Sequence, residues 1–129
     1  MNDMRARPSG ENFLLPRLEA ALELAGGTHE WRDVLACIQD GRAQYWQSPD
    51  GRGALVTELL SYPRLRVVNY WLAAGELHAC LSLVPRIEQW AMEQGCTRAI
   101  GMGRPGFAKF LGATGVRVAG VAFRKELVK

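Results

Sequence analysis

Few side chains in this 129-residue sequence are spaced for chemistry. The three cysteines, Cys37, Cys80 and Cys96, make no CxxC pair and stand at no ligand spacing from His29 or His78, so no metal site is encoded. They read as buried free thiols of a reducing compartment. Gly101-Met102-Gly103-Arg104-Pro105-Gly106 has the form GxGxxG after a strand-like run. However, Pro105 and the short helical pattern behind it do not suit a dinucleotide fold, and no βαβ unit with a ribose-binding acid follows. Arg104, at the start of that short helix, is placed to meet a phosphate or a carboxylate. From Arg98 onward there are seven basic residues (Arg98, Arg104, Lys109, Arg117, Arg124, Lys125, Lys129) against the single acid Glu126, so with a net charge of +3 the remainder sums to −3. A basic C-terminal third suits a phosphorylated ligand, nucleic acid, an acidic partner or plain solvation. No aromatic–basic interleaving of an RNA-binding kind accompanies it, which keeps nucleic acid a minor option.

The elements that must position these residues follow from the apolar period. A hydrophobic content of 48% with 22% charged residues is globular composition, and one domain accounts for the length. Residues 1–12 are polar, hold Pro8, Ser9 and Gly10, and read as a flexible arm; 13–129 read as the domain. Leu14, Leu18, Ala21, Leu22 and Ala25 recur at helical spacing up to Gly26-Gly27. Thr28 is the expected N-cap of a second helix carrying Trp31, Val34, Leu35 and Ile38, paired with the first as a hairpin. Short β-type runs follow over Ala43–Gln47, Ala54–Tyr62 and Leu65–Ala73, divided by Ser48-Pro49-Asp50-Gly51-Arg52-Gly53 and Tyr62-Pro63-Arg64. Close turns between consecutive strands predict an antiparallel meander. Leu77, Leu81, Val84, Ile87 and Ala91 then form one helical stripe in which Pro85 predicts a kink, with Ser82 capping the second half. Cys96–Met102 is a fourth strand reached by a βαβ crossover. A short helix from Arg104 through Leu111 and a last strand over Val116–Leu127, bulged at Gly120, complete the order. The four tryptophans come from different elements, as core anchors do.

That order, two helices, a three-strand meander, a crossover helix, a strand, a short helix and a final strand, resembles the GNAT family of N-acetyltransferases over roughly Leu14–Lys129. The best local pieces are Gly101-Met102-Gly103-Arg104-Pro105-Gly106-Phe107 through Phe110-Leu111-Gly112, and the closing Phe123-Arg124-Lys125-Glu126-Leu127. The resemblance implies an α/β (α+β) fold with a mixed, mostly antiparallel sheet and helices on both faces. The whole pattern also resembles small GNAT-like proteins encoded by tailed phages.

In the family, acyl-CoA lies where two parallel strands splay, its pyrophosphate on the crossover helix N-terminus, in a loop of the form R/Q-x-x-G-x-G/A. The equivalent stretch here is Leu72-Ala73-Ala74-Gly75-Glu76-Leu77, which makes Ala73, Ala74, Gly75, Glu76, Leu77 and the nearby Arg104 the cofactor-binding candidates. Leu72 and Leu77 replace the polar residue and the second glycine, and Glu76 sets a carboxylate beside the presumed phosphate. For catalysis the resemblance offers Glu58 as the amine's base and Tyr70 as a cleft-lining hydroxyl. The fourth-helix tyrosine of the family is replaced by Phe107 and Phe110, and only one strand follows Gly115 where many relatives have two. The lead expectation is therefore a degenerate, non-catalytic GNAT-fold module with no cofactor, used for protein–protein or self-assembly, plausibly among virion components. The alternative is an acetyl-CoA-dependent N-acetyltransferase acting on a small or protein amine. With no apolar leader and no window near the ~20 apolar residues of a membrane span, a cytoplasmic setting in a bacterial host is expected.

Overall fold

Leu14, Leu18 and Leu22 fall on one side of a helix and are all buried, which is why the first apolar stripe folds as α1 (Leu14–Leu24) against the sheet. The computed structural model describes residues 13–103 and 114–128. The arm expected over 1–12 and the short helix expected from Arg104 through Leu111 lie outside the described residues. Helix α2 (Trp31–Gln39) begins later than expected: Glu30, not Thr28, is its N-cap, and the Asp33 carboxylate accepts from the Glu30 N–H at 2.8 Å. The Thr28 hydroxyl is instead 2.7 Å from Nδ1 of His29, whose ring meets Trp71 edge-on at 4.8 Å.

The meander forms as the turn signals predict. Strands β1 (Gln44–Gln47), β2 (Gly53–Ser61) and β3 (Arg66–Gly75) pair antiparallel, and β4 (Arg98–Gly101) pairs parallel to β3, giving the order β1-β2-β3-β4. Between β3 and β4 the chain crosses through α3 (Leu77–Leu81) and α4 (Val84–Glu93). The expected kink is thus a full break. Pro85 falls in the first turn of α4, where no helical hydrogen bond is lost, and the Ser82 hydroxyl donates to the Ala79 carbonyl at 2.6 Å, closing α3 rather than capping α4.

Strand alternation divides the interior into two cores. On one face α1 and α2 cover Tyr45, Ala54, Val56, Leu72 and Ala74; on the other α3 and α4 cover Trp46, Leu55 and Val68, with Cys80, Leu83, Ile87 and Cys96. The Trp46 indole donates to Thr57 Oγ1 at 2.9 Å, the Thr57 hydroxyl donates to Gln44 Oε1 at 2.8 Å, and Trp46 meets Trp90 edge-on at 5.4 Å. The thiols of Cys80 and Cys96 are buried and free, as expected, whereas Cys37 is free but only half-buried, at the edge of the α1–α2 core. Where β2 and β3 pair, Val56 faces Leu72 while Thr57 faces Tyr70, so Trp71 is an extra residue in β3. This bulge reverses the strand's alternation: Val68 and Tyr70 point to the α3–α4 core, whereas Trp71, Leu72 and Ala74 belong to the α1–α2 core.

The last expected strand is the main departure. Among the described residues, 116–128 pair with no strand, and Val116, Val118, Val121, Phe123, Leu127 and Val128 are all exposed. All four residues of β4 are exposed, and the Arg124 guanidinium lies near Gly26, in the α1–α2 connection.

Candidate functional site

The parallel pairing of β3 with β4 runs from Val67↔Arg98 to Tyr70↔Gly101 and stops at the bulge. A Cβ on Gly101 would stand 3.3 Å from both the Cβ and the carbonyl oxygen of Tyr70, so β4 lies tight against β3 at the last pair. Beyond that point Leu72–Gly75 pair with β2 on one side and, among the described residues, have no strand on the other. Alternate main-chain N–H and C=O groups of these residues therefore have no strand partner on that side among the described residues. The strand ends in the loop of Ala73, Ala74, Gly75, Glu76 and Leu77 at the start of α3, where the family's pyrophosphate would lie.

That loop is closed by its neighbours. Gly75 has φ +97°, and a Cβ there would collide with the Arg52 carbonyl. The same carbonyl accepts the Glu76 N–H at 2.8 Å, so an amide that a phosphate would use is taken. Arg52 Nε and Nη2 donate to Glu76 Oε1 and Oε2, both at 3.2 Å, while the guanidinium carbon lies 4.0 Å from the Phe13 ring centre. The hydrogen bonds and charge of Arg52 hold the Glu76 carboxyl below its usual range. An ion pair this exposed is screened by solvent and adds little, so the backbone contacts do most to fix the loop. On the other side, a Cβ on Gly53 would stand 2.7 Å from that of Ala79, so β2 already packs tightly on α3. A carboxylate on the N-cap residue of α3, Glu76, complements the helix dipole and repels a second anion. In this arrangement the loop does not fit a pyrophosphate.

The two catalytic candidates are not brought together. Glu58 lies on the α1–α2 face of β2, in register with Asn69, whose Nδ2 donates to its Oε1 at 2.9 Å. Tyr70 points to the α3–α4 face and packs on that core. Its hydroxyl is buried with no hydrogen-bond partner among the described residues. Burial, with the charge of Glu88 added, pushes its ionisation well above that of a free tyrosine. A hydroxyl so reluctant to ionise is poorly matched to proton transfer near neutrality. Arg104 and the later half of the glycine pattern lie outside the described residues.

Two further features complete the picture. A groove of about 660 Å³ lined by Tyr62, Leu65, Val67, Arg98 and Ile100 lies at the other end of β3 from the loop. Among the described residues there is no cluster of His, Cys, Asp and Glu able to hold a metal ion, and no helix long and apolar enough to cross a membrane.

Arg52 was not singled out from the sequence, where it stands inside a turn signal. The hairpin register carries the missing information: pairing Gly53 with Gly75 sets Arg52 and Glu76 side by side.

The chain matches no protein-family model and no curated protein. Among solved structures it is similar to an acetyltransferase of Trypanosoma brucei, with TM-score 0.62 and 15% identity over 88% of this chain and 96% of that one. It is also similar to a ribosomal-protein-alanine N-acetyltransferase of Brucella melitensis biovar Abortus, with TM-score 0.62 and 14% identity over 85% and 88% of the two chains. A tetramutant of a Bacillus halodurans protein gives TM-score 0.57 and 12% identity over 84% and 86%. These likenesses show the fold: a mixed α/β structure of the GNAT acetyltransferase kind.

Proposed function

We propose that this chain is a non-catalytic module built on the acetyltransferase fold and used for assembly with another protein surface. The observation that carries it is the occupied loop: Arg52 holds both the carboxylate and the amide of Glu76, where an acyl-CoA pyrophosphate would have to sit. Two other findings support it. Glu58 and Tyr70 act on opposite faces of the sheet, so no base–acid pair spans one cleft. An apolar stretch over 116–128 lies exposed, as an assembly surface does. The resemblance to tailed-phage proteins supplies the setting, a bacterial cytoplasm or a virion. Calorimetric titration with acetyl-CoA and with free CoA tests the reading. No heat up to millimolar ligand is expected; micromolar binding that Leu77→Arg abolishes would overturn it.

A second reading, an acyl-CoA-dependent N-acetyltransferase acting on an amine, is favoured by the parting of β3 and β4 beyond Tyr70. It requires Arg52 and Glu76 to separate, and the same titration decides it.

A further inference from the structure

The groove at the far end of β3 from the loop takes no part in the site described above. Leu65, Val67 and Ile100 give it apolar walls, and Tyr62, 52% exposed, stands beside them. Arg64 and Arg98, both exposed, line it as well. Its volume of about 660 Å³ falls within the ~300–1,000 Å³ of ordinary binding clefts.

The two arginines of the groove are uncommitted. Arg32, Arg42, Arg52 and Arg124 each meet a carboxylate, whereas Arg64 and Arg98 have no ion pair or side-chain hydrogen bond among the described residues. No acid stands among the described residues that line the groove. Main-chain bonds set the frame around the two cations. The Tyr62 N–H donates to the Leu65 carbonyl at 2.8 Å and closes the β2–β3 turn. The Thr97 N–H donates to the Arg66 carbonyl at 3.0 Å, and the next step of the ladder pairs Val67 with Arg98. Arg66 is tied in turn to the end of α4, its Nη1 donating to the Gln94 carbonyl at 2.7 Å. A frame held in this way needs little ordering when a ligand arrives.

We propose that this groove docks a peptide segment of a partner protein in which a carboxylate stands beside an apolar side chain. Each half of that description answers a feature of the groove. A guanidinium without a partner is matched by a carboxylate, which accepts two parallel N–H bonds from its fork. An apolar side chain covers Ile100 and the ring of Tyr62, the exposed apolar surface beside the cations. An amine substrate would carry positive charge, and two unpaired guanidiniums repel it, so the groove is not built for an acetyl acceptor. A nucleic acid strand offers phosphates for the arginines but sets little aliphatic surface against Leu65, Val67 and Ile100. The inference rests on the assembly reading above and names the surface used and the chemistry of its partner.

Nitrogen-15-labelled full chain, titrated with short capped peptides that alternate Glu or Asp with Leu, Val or Phe, tests the site by its amide resonances. At least one peptide should shift the amides of Arg64, Leu65, Arg98 and Ile100, and its glutamine or asparagine counterpart should not. Arg64→Glu with Arg98→Glu should weaken that peptide by about tenfold or more and bring in a response to the matching lysine peptide. Arg64→Gln with Arg98→Gln should lose the acidic peptide without gaining the lysine one, which separates charge from any disturbance of the fold. Silence from every acidic peptide at millimolar concentration, an equal response to the uncharged counterparts, or shifts confined to other elements would each overturn the site. A stronger response to oligothymidylate than to any peptide would overturn the choice of a protein partner. Peptide binding in a chain that also takes acetyl-CoA would sink only the non-catalytic reading, whereas a chain silent to both would sink only the docking site.

Discussion

Glu58 and Tyr70 stand one step out of register on neighbouring strands, Glu58 opposite Asn69 and Tyr70 opposite Thr57, and so project to opposite faces of the sheet. Two groups so placed cannot serve one substrate as acid and base. Each is held by its own surroundings, Glu58 by Asn69 and Tyr70 by the α3–α4 core.

Removing the Tyr70 hydroxyl should cost nothing. A buried donor without a partner carries a desolvation penalty of about 1–3 kcal/mol, which Tyr70→Phe relieves while keeping the ring. Urea unfolding of Tyr70→Phe should give a midpoint equal to or above that of the parent. A loss of more than about 1 kcal/mol would mean that the hydroxyl is bonded in solution.

Thr57→Val should be costly despite its near-identical shape. Thr57 is fully buried and is the acceptor for the Trp46 indole. The valine removes both the bond accepted from Trp46 and the one donated to Gln44, at a cost of about 1–3 kcal/mol. Pairing it with Trp46→Phe, which removes the indole donor, should give a double-variant loss smaller than the sum of the two single losses.

Gly75→Ala meets two obstacles at once, a positive φ and the Arg52 carbonyl. It should destabilise by more than about 1 kcal/mol, with an unchanged denaturant slope. Stability at or above that of the parent would show that the strand end relaxes away from Arg52.

Alkali should unfold the chain gradually. Burial pushes the Cys80 and Cys96 thiols up and the Tyr45 phenol up to about 12. For groups whose ionisation is raised by folding, the native state holds protons that the unfolded chain gives up. Their contribution is fully present below the unfolded values, about 8.5 for a thiol and about 10 for a phenol, and is lost as pH rises through the folded ones. Stability should therefore decline from about pH 8.5 upward, and Cys80→Ala with Cys96→Ala should flatten the first part of that decline.

Much of the fold was legible because period and punctuation are local. The β1–β2 and β2–β3 turns, the helical stripe from Leu77 to Ala91 and the leucines of α1 announce themselves in runs of a few residues. Features that depend on register were not. Thr28 looked like a cap, but Asp33 selects Glu30 by reaching back to its N–H. The Arg52–Glu76 pair joins residues far apart in sequence and exists only because Gly53 faces Gly75. The strand-to-helix step at Ala73–Leu77 falls where the apolar period puts it, while the closure of that loop by Arg52 needed the hairpin. The segment 116–128 reads as a strand by its alternation, yet alternation specifies only a strand's face and not the chain that pairs with it.

The extra residue in β3 also governs which mutations this strand can accept. Trp71 works like an inserted letter in a two-letter code: residues before it are read in one frame and Leu72, Ala73, Ala74 and Gly75 in the other. Deleting it would keep Tyr70 opposite Thr57 and Leu72 opposite Val56 and restore a regular alternation, with Leu72 and Ala74 still in the α1–α2 core; what would go is the indole packed on that core and its edge-on contact with His29. Any other single insertion or deletion between Val68 and Gly75 would turn the residues on one side of it to the wrong face, whereas the turn at Tyr62-Pro63-Arg64 carries no such frame. Homologous sequences should therefore vary in length at the turn and, between Val68 and Gly75, differ in length only by loss of the bulge residue.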